Sequence, residues 1–411
     1  MTTSPRRSLS QISGQIYSRG ERLLASRLAD IWRAAEQADP ERLTHPLHTY
    51  PGRMPPELVR QILVVEDKAR VVLDPFVGSG TVLVEALAAG RQGVGVDVNP
   101  IALRITWAKT RVWDEGSLDE LGERCQAISQ GAFVRARKHL RVGLGLAASS
   151  QRDWYPPHVL LELQTLWNII EEEPDPDSRE LMRMFFSTLL VKVSLQKSDS
   201  DLTRVERQIG RGTTSRLFGE KSAHLITMLR SLSQVVPLET PEAALFMGDS
   251  RYLDAIGDEA VDLIITSPPY PGTYDYLAHQ ARRFSWLGED HREAARLEVG
   301  ARRQLSDDTL PPEMRWELWE KDQRAFLYAM GRVIRPGGHI YLVVGDSLLA
   351  GELWLGDESM ADAARDVGLE PMAVASQERP FTHVDMPRAF GGRPRLEHLI
   401  CLRRPGRDDD T

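Results

Sequence analysis

The run Asp262-Leu-Ile-Ile-Thr-Ser267-Pro268-Pro269-Tyr270 carries an apolar segment into a hydroxyl, two prolines and an aromatic ring. Val261–Thr266 is short and almost wholly apolar, which suits a strand buried on both faces of a parallel sheet. Two prolines cannot continue a ladder, so the strand must end at Ser267. Their fixed φ angles stiffen the turn that carries Ser267 and Tyr270. Open α/β sheets keep their ligands at this end of the strands. A stiff turn offering a hydroxyl, a carbonyl with no competing N–H and an aromatic face could hold a planar, amine-bearing ring. Taken alone, the same run also reads as an ordinary strand end with a Pro-rich turn.

A second constellation favours chemistry. Val71-Val-Leu-Asp74-Pro-Phe76-Val-Gly78-Ser79-Gly80-Thr81 is followed by Gly93-Val-Gly-Val-Asp97-Val-Asn99-Pro100. A strand (71–73) runs into a Gly-rich turn, then a helix (82–89), then a second strand (93–96) ending on an acid. Glycines let backbone approach a ligand, and a helix start presents free N–H groups. An acid at the next strand's end can take both hydroxyls of a ribose. No Lys-Ser/Thr follows the glycines, so this is not a phosphate-cradling P-loop, and the ligand is a nucleoside with no triphosphate implied.

Together, Asp74-Pro-Phe-Val-Gly-Ser-Gly-Thr81 and Thr266-Ser-Pro-Pro-Tyr270 resemble the amino-directed DNA methyltransferases, which methylate N4 of cytosine or N6 of adenine. Further matches are His45-Pro-Leu-His48-Thr-Tyr50-Pro-Gly-Arg53-Met-Pro-Pro56, Gly248-Asp249, Arg335-Pro-Gly-Gly338 and Val343-Val-Gly-Asp346. The resemblance spans about 44–50, 71–100 and 248–404. It implies a Rossmann-like α/β sheet with helices on both faces and S-adenosyl-L-methionine (SAM) as cofactor. It assigns cofactor contacts to Tyr50, Arg53, Asp74, Phe76, Gly78, Ser79, Gly80, Thr81, Asp97, Asn99 and Asp249. Of these, Tyr50 faces the sulfonium side, Arg53 the carboxylate and Asp249 the adenine. Catalysis falls to Ser267, Pro268, Pro269 and Tyr270.

The elements that position these groups divide the chain. Residues 1–44 are expected to form a helical extension, with Leu23, Leu24, Leu28, Ile31 and Trp32 on one face of helical segments over 12–37. Residues 45–111 and 246–405 make the catalytic domain, and 406–411 an acidic tail. Between them, 112–245 reads as a helical insertion, with helices from about 154 to 172, 178 to 195 and 223 to 235. Its polar stretch 196–216 mixes amides, hydroxyls and arginines, the groups that contact phosphates and base edges. This insertion is the expected target-recognition region. Candidate nucleic-acid contacts are Arg204, Arg207 and Arg211, joined after the catalytic loop by Tyr274, Tyr276, His279 and Arg282. Residues 289–319 are charged and read as a solvated helical segment or mobile loop. An antiparallel pair, 384–390 with 398–402, is expected to close the sheet.

Composition sets the outer bounds. The 411 residues suffice for one large domain plus an insertion. A net charge of −8 argues against a wholesale nucleic-acid coat and leaves room for a local basic face. Cys125 and Cys401 are too few for a disulfide scaffold and stand in no metal-type cluster. No metal is expected. No apolar run long enough for a membrane span or signal peptide occurs, so the expected location is cytoplasmic, with no membrane partner.

The chemistry follows from the substrate. An exocyclic base amine is a poor nucleophile because its lone pair is delocalised into the ring. Acceptors on both N–H groups, Ser267 and the Pro268 carbonyl, favour a pyramidal nitrogen. Tyr270 would stack on a base flipped from duplex DNA. Ser rather than Asp before Pro-Pro-Tyr leans toward cytosine N4. Adenine N6 is the second reading. An RNA guanine-N2 enzyme is the third, although about forty residues before His45 are too few for the RNA-binding THUMP domain of such enzymes. A SAM-binding regulatory module is the non-enzymatic reading. A cognate restriction or defence partner fits the resemblance, and the sequence leaves oligomeric state open.

Overall fold

A computed structural model describes residues 14–137, 143–199, 201–271, 276–300, 305, 310–381 and 386–407, the side chains of 136, 137 and 276 excepted. The strands are β1 (Ile16–Gly20), β2 (Val71–Asp74), β3 (Gln92–Asp97), β4 (Gln196–Ser198), β5 (Asp201–Arg204), β6 (Ala244–Met247), β7 (Val261–Thr266), β8 (Ile334–Gly345), β9 (Ser347–Leu349), β10 (Glu352–Trp354), β11 (Glu370–Arg379) and β12 (Arg395–Arg403). The helices that bear on the site are α1 (Arg22–Gln37), α2 (Pro56–Val65), α3 (Thr81–Ala88), α4 (Pro100–Thr110), α5 (Glu115–Arg137), α6 (Leu146–Ser150), α7 (Pro157–Glu171), α8 (Pro176–Leu190) and α9 (Thr213–Val235).

Eight strands form one sheet in the order β1-β11-β12-β8-β7-β2-β3-β6. From β8 to β6 every pairing is parallel, while β12, β11 and β1 add antiparallel neighbours. The apolar runs read as buried strands, Val261–Thr266 above all, occupy this parallel block, where both faces are covered. The chain leaves β2 through α3 toward β3 on one side, whereas β7 and β8 lie on the other. The crevice therefore opens at the carboxyl ends of β2 and β7, the switch point of the strand order. Asp262 Oδ2 accepts the backbone N–H groups of Arg70 and Val71 at 2.8 Å each, fixing the register of those two strands.

Alternating residues on each strand serve opposite cores. Val72, Leu263, Ile265 and Val343 pack with α1, α2 and α3 on one face. Leu73, Ile264, Leu342 and Val344 pack on the other against the helices Pro312–Val333 and Gly356–Asp366. A separate core joins α4 to the insertion through α5, α7, α8, α9 and the helix Ala281–Leu287. The sheet with a largely helical insertion is the architecture the sequence implies.

Four expectations need correction. Residues 16–20 form β1, paired with β11, and not a helix. Most of its side chains are exposed, so no alternating pattern marked it as a strand. The N-terminal segment is thus part of the sheet, and α1 docks on it with Trp32 Nε1 donating to the Ala375 carbonyl at 3.0 Å. Leu23 is exposed and not on the buried face of α1. The strand beside β12 is β11, upstream of the expected 384–390. Of that stretch, 384 and 385 lie outside the described residues and Met386–Ala389 is a short helix. In the insertion, α8 stops at Leu190, α9 begins at Thr213, and the polar stretch between them contains the hairpin β4–β5.

Candidate functional site

The loop after β2 is shaped by two glycines in the left-handed region, Gly78 (φ 49°) and Gly80 (φ 77°). A Cβ on Gly78 would lie 3.2 Å from the Tyr50 ring, so the bare backbone lets that ring close over the loop. A Cβ on Gly80 would lie 2.7 Å from Thr106 Cγ2, so this glycine serves the packing of α3 on α4. The Asp97 carboxylate, at the end of β3, clamps the loop: Oδ2 accepts Gly78 N–H at 2.9 Å and Oδ1 accepts Asn99 N–H at 2.8 Å. Asn99 in turn caps α4, its Oδ1 accepting Ile101 N–H at 3.0 Å.

Residues 45–56 reach over this loop, and two histidines pin the start of the segment to two different helices. His45 Nε2 meets Glu85 Oε1 of α3 at 2.7 Å, and His48 Nε2 meets Ser187 Oγ of α8 at 2.6 Å. Burial pushes the His45 imidazole down to about 4, against the pull of Glu85, and holds His48 well below its ordinary value. Both are therefore neutral anchors near pH 7. Arg53, whose guanidinium donates to the His45 carbonyl, is placed by the same loop.

These pieces line a cleft, open on one side, whose empty space is about 850 Å³ with its solvent mouth included. Tyr50, Arg53, Asp74, Phe76, Gly78, Ser79, Thr81, Asp97, Asn99, Asp249, Ser267 and Pro269 all line it. Gly80, Pro268 and Tyr270 do not. Leu277, Leu297, Glu298 and Val299 complete the wall. The charged stretch 289–319 hid the last three: Glu298 is buried there, not solvated, and two apolar neighbours were the only local signal.

Two carboxyls in the cleft are held away from their ordinary behaviour. Burial pushes Asp74 up to about 7, although Thr266 Oγ1 donates to its Oδ1 at 2.6 Å and Phe76 N–H at 3.1 Å. Burial likewise raises Asp97 to about 6 against its backbone hydrogen bonds, and Glu298 adds repulsion. Thr81 Oγ1 and Asn99 Nδ2 are buried and have no hydrogen-bond partner among the described residues. Both belong to residues of the cleft wall, so a polar ligand there would satisfy them. Asp249 is bound to Arg251, which also reaches Asp322, so this acid sits in an ion-pair chain at the far wall.

At the lip, Ser267 Oγ donates to the Val343 carbonyl of β8 at 2.9 Å. Tyr270 lies behind it: its hydroxyl donates to Glu397 Oε1 at 3.0 Å, and Arg379 holds the other carboxylate oxygen at 2.8 Å. A Cβ on Gly345 would lie 3.0 Å from the Tyr270 ring, so ring and strand are in close contact.

The expected nucleic-acid contacts separate. Arg204 and Arg211 are exposed. The Arg207 guanidinium instead donates to the carbonyls of Val191, Lys192, Ser194 and Lys197, closing the carboxyl end of α8. Arg282 is buried, 3.7 Å over the Trp154 ring and hydrogen-bonded to Gln151 at 2.7 Å, so it is a packing residue. His279 ends a short helix next to the cleft residue Leu277. Tyr274 and the side chain of Tyr276 lie outside the described residues. Asp346, Asp357 and His398 also gather away from the cleft. Asp346 is engaged by His398, Gly356 N–H and Leu396 N–H, and Asp357 by Arg19, so the cluster ties strands together.

A family model described as DNA methylase matches residues 13–107, which contain β1, the histidine-pinned loop, the glycine loop and Asp97. The Type II methyltransferase M.MvaI of Kocuria varians is 25% identical over 265 residues, 60% of this chain and 58% of its own length. The Type II methyltransferase M.BsoBI of Geobacillus stearothermophilus is 21% identical over 89% of this chain and 86% of its own. The chain thus spans just over half the length of the Kocuria relative. Among solved structures, TrmN from Thermus thermophilus aligns over 87% of this chain and 52% of its own at 12% identity. Its TM-score of 0.34 is too low to carry an argument. With β2, the glycine loop, Asp97, Ser267 and Pro269 converging on one cleft, the chain is similar to the amino-directed DNA methyltransferases, whose methyl donor is SAM.

Proposed function

We propose that the chain transfers a methyl group to the exocyclic amine of a base flipped out of duplex DNA, with cytosine N4 as the preferred target. The reading rests on one observation. The Ser267 hydroxyl proton is already donated to the Val343 carbonyl, so toward the cleft Ser267 offers only lone pairs. A hydroxyl fixed in this way accepts an amine N–H and does not donate to it. With the Pro268 carbonyl as second acceptor, both N–H groups of the amine are held and the nitrogen lone pair is drawn out of the ring. Positioning and fixed dipoles of this kind are the main source of rate in a transfer without covalent protein chemistry. Ser267 lacks the basicity of a carboxylate, so the amine proton passes to water after transfer.

The cofactor side fits the same residues. Asp97 would take the ribose hydroxyls, Asp74 the ammonium and Arg53 with Thr81 the carboxylate, while Tyr50 would cover the loop. SAM, when bound, supplies an electrophilic methyl group on a cationic sulfur. Tyr270, hydrogen-bonded to Glu397 and packed on Gly345, would stack on the flipped base. Sequence-specific modification, alongside a cognate nuclease, accords with the Type II names of the relatives. Expression in a host without DNA methylation, followed by modification-sensitive sequencing, tests the reading. Methylcytosine at a fixed motif is expected. Methylation confined to adenine would move the assignment to N6, and unmodified DNA beside methylated RNA would overturn it.

A further inference from the structure

The hairpin β4–β5 stands out because Leu202, Thr203 and Arg204 are exposed, while the ribbon is tied down at two points, at Lys197 and at its turn. Arg207 ties it to α8 through four backbone carbonyls, Lys197 of the hairpin among them. Asp199, at the hairpin turn, is bound by the buried Arg283 at 2.5 Å. Arg283 lies in the helix Ala281–Leu287, just after the short helix whose Leu277 lines the cleft. The hairpin is thereby fixed to the helix pair that follows the catalytic loop. Beyond these anchors, Leu202, Thr203 and Arg204 are all exposed, Leu202 by 40%. Residues two apart on a strand share a face, so Leu202 and Arg204 point the same way.

We propose that this hairpin enters the DNA duplex beside the target base, with Leu202 as the wedge that fills the space the base leaves. The inference rests on the DNA reading above and extends it to the residue that opens the duplex. An apolar side chain on a rigid two-stranded ribbon can part a base step, and a ribbon of this width fits a groove. Charge selects the partner. From 192 to 211 the exposed cations Lys192, Arg204 and Arg211 outnumber Glu206, the exposed carboxylate of that stretch among the described residues. Asp199 and Asp201 are neutralised by Arg283 and Lys197. A polyanion meets a basic face around one apolar side chain, the pattern of a duplex-entering wedge and not of a protein-docking patch.

The test compares two DNA substrates under single turnover: a matched duplex and one whose target base faces an abasic site. An unpaired target costs less to extrude, so only the matched duplex needs the wedge. Leu202→Ala should slow transfer on the matched duplex about tenfold or more and leave the abasic-opposed target close to the wild-type rate. Arg204→Ala should lower the log–log salt dependence of binding by ~0.9 on both. Leu202→Asn, which keeps the side-chain size, should behave like Leu202→Ala and controls for loss of hairpin shape. Equal slowing on both substrates by both variants, or no slowing on either, would overturn the wedge while the DNA reading stood. Wild-type protein inert on both duplexes, with SAM bound, would overturn the DNA reading itself.

Discussion

Replacing Asp74 by Asn separates what the cleft costs the fold from what it gains in binding. Both hydrogen bonds to this side chain, from Thr266 Oγ1 and Phe76 N–H, end on Oδ1. An amide oxygen can accept both, so the substitution removes a buried charge and little else. Burial lifts the carboxyl from an ordinary 3.8 to about 7, so the folded protein holds the proton more tightly than the unfolded chain. Stability from this group is therefore complete below about pH 4 and falls as pH rises toward about 7. The whole interval is worth about 4 kcal/mol, which the wild type gives up at pH 8 and Asp74→Asn does not. Urea unfolding should find Asp74→Asn more stable than wild type at about pH 8, with the advantage gone at about pH 4. SAM binding should move oppositely. A cationic ligand favours ionised Asp74, so wild-type affinity should climb from pH 5 toward pH 7 with proton release, and Asp74→Asn should bind weakly with a flatter profile. Calorimetry in buffers of different ionisation enthalpy reads that release. A variant less stable than wild type at both pH values, or a wild-type affinity indifferent to pH, would refute the reasoning.

Asp97→Ala should weaken SAM binding ~10–150-fold, the equivalent of ~1.5–3 kcal/mol for hydrogen bonds to a charged group. It should also loosen the glycine loop, because the same carboxylate holds Gly78 and Asn99 N–H; faster amide exchange at those two positions checks this. Arg207→Ala should lower the melting temperature and leave SAM affinity unchanged. Arg282→Ala should do the same through loss of its stacking on Trp154, worth ~0.5–2 kcal/mol. Retained thermal stability in either arginine variant would return that residue to the list of surface contacts.

The catalytic half of the fold was legible because its signals are local and strong. Four-to-six-residue apolar runs, a glycine turn, an acid at the next strand end and a Pro-Pro stop each have few structural solutions. They fall on β2, β3 and β7 as read. Asp97, Ser267 and most other candidates reach one cleft because parallel strands must bring their carboxyl ends together. What stayed hidden depends on partners distant in sequence. β1 is a strand only because β11 lies beside it, and its exposed side chains carry no periodicity. Arg204, Arg207 and Arg211 look alike in sequence, yet only the end of α8 decides that Arg207 spends its donors on carbonyls. Arg282 is likewise buried by Trp154, which precedes it by more than a hundred residues. Glu298 reads as one more acid in a charged stretch until the fold turns that stretch inward against Asp97.

The central claim is that Ser267 accepts the amine of a flipped base as the methyl group arrives. The most direct measurement is single-turnover transfer from SAM to duplex DNA by wild type and Ser267→Ala, with nucleosides resolved by mass spectrometry. Removing an acceptor that matters most as the nitrogen pyramidalises should act on the transfer rate more than on binding. Wild type should yield N4-methyldeoxycytidine, with a rate lower by ~10-fold or more in Ser267→Ala and SAM affinity intact. A wild-type rate in Ser267→Ala, or N6-methyldeoxyadenosine as the sole product, would contradict it.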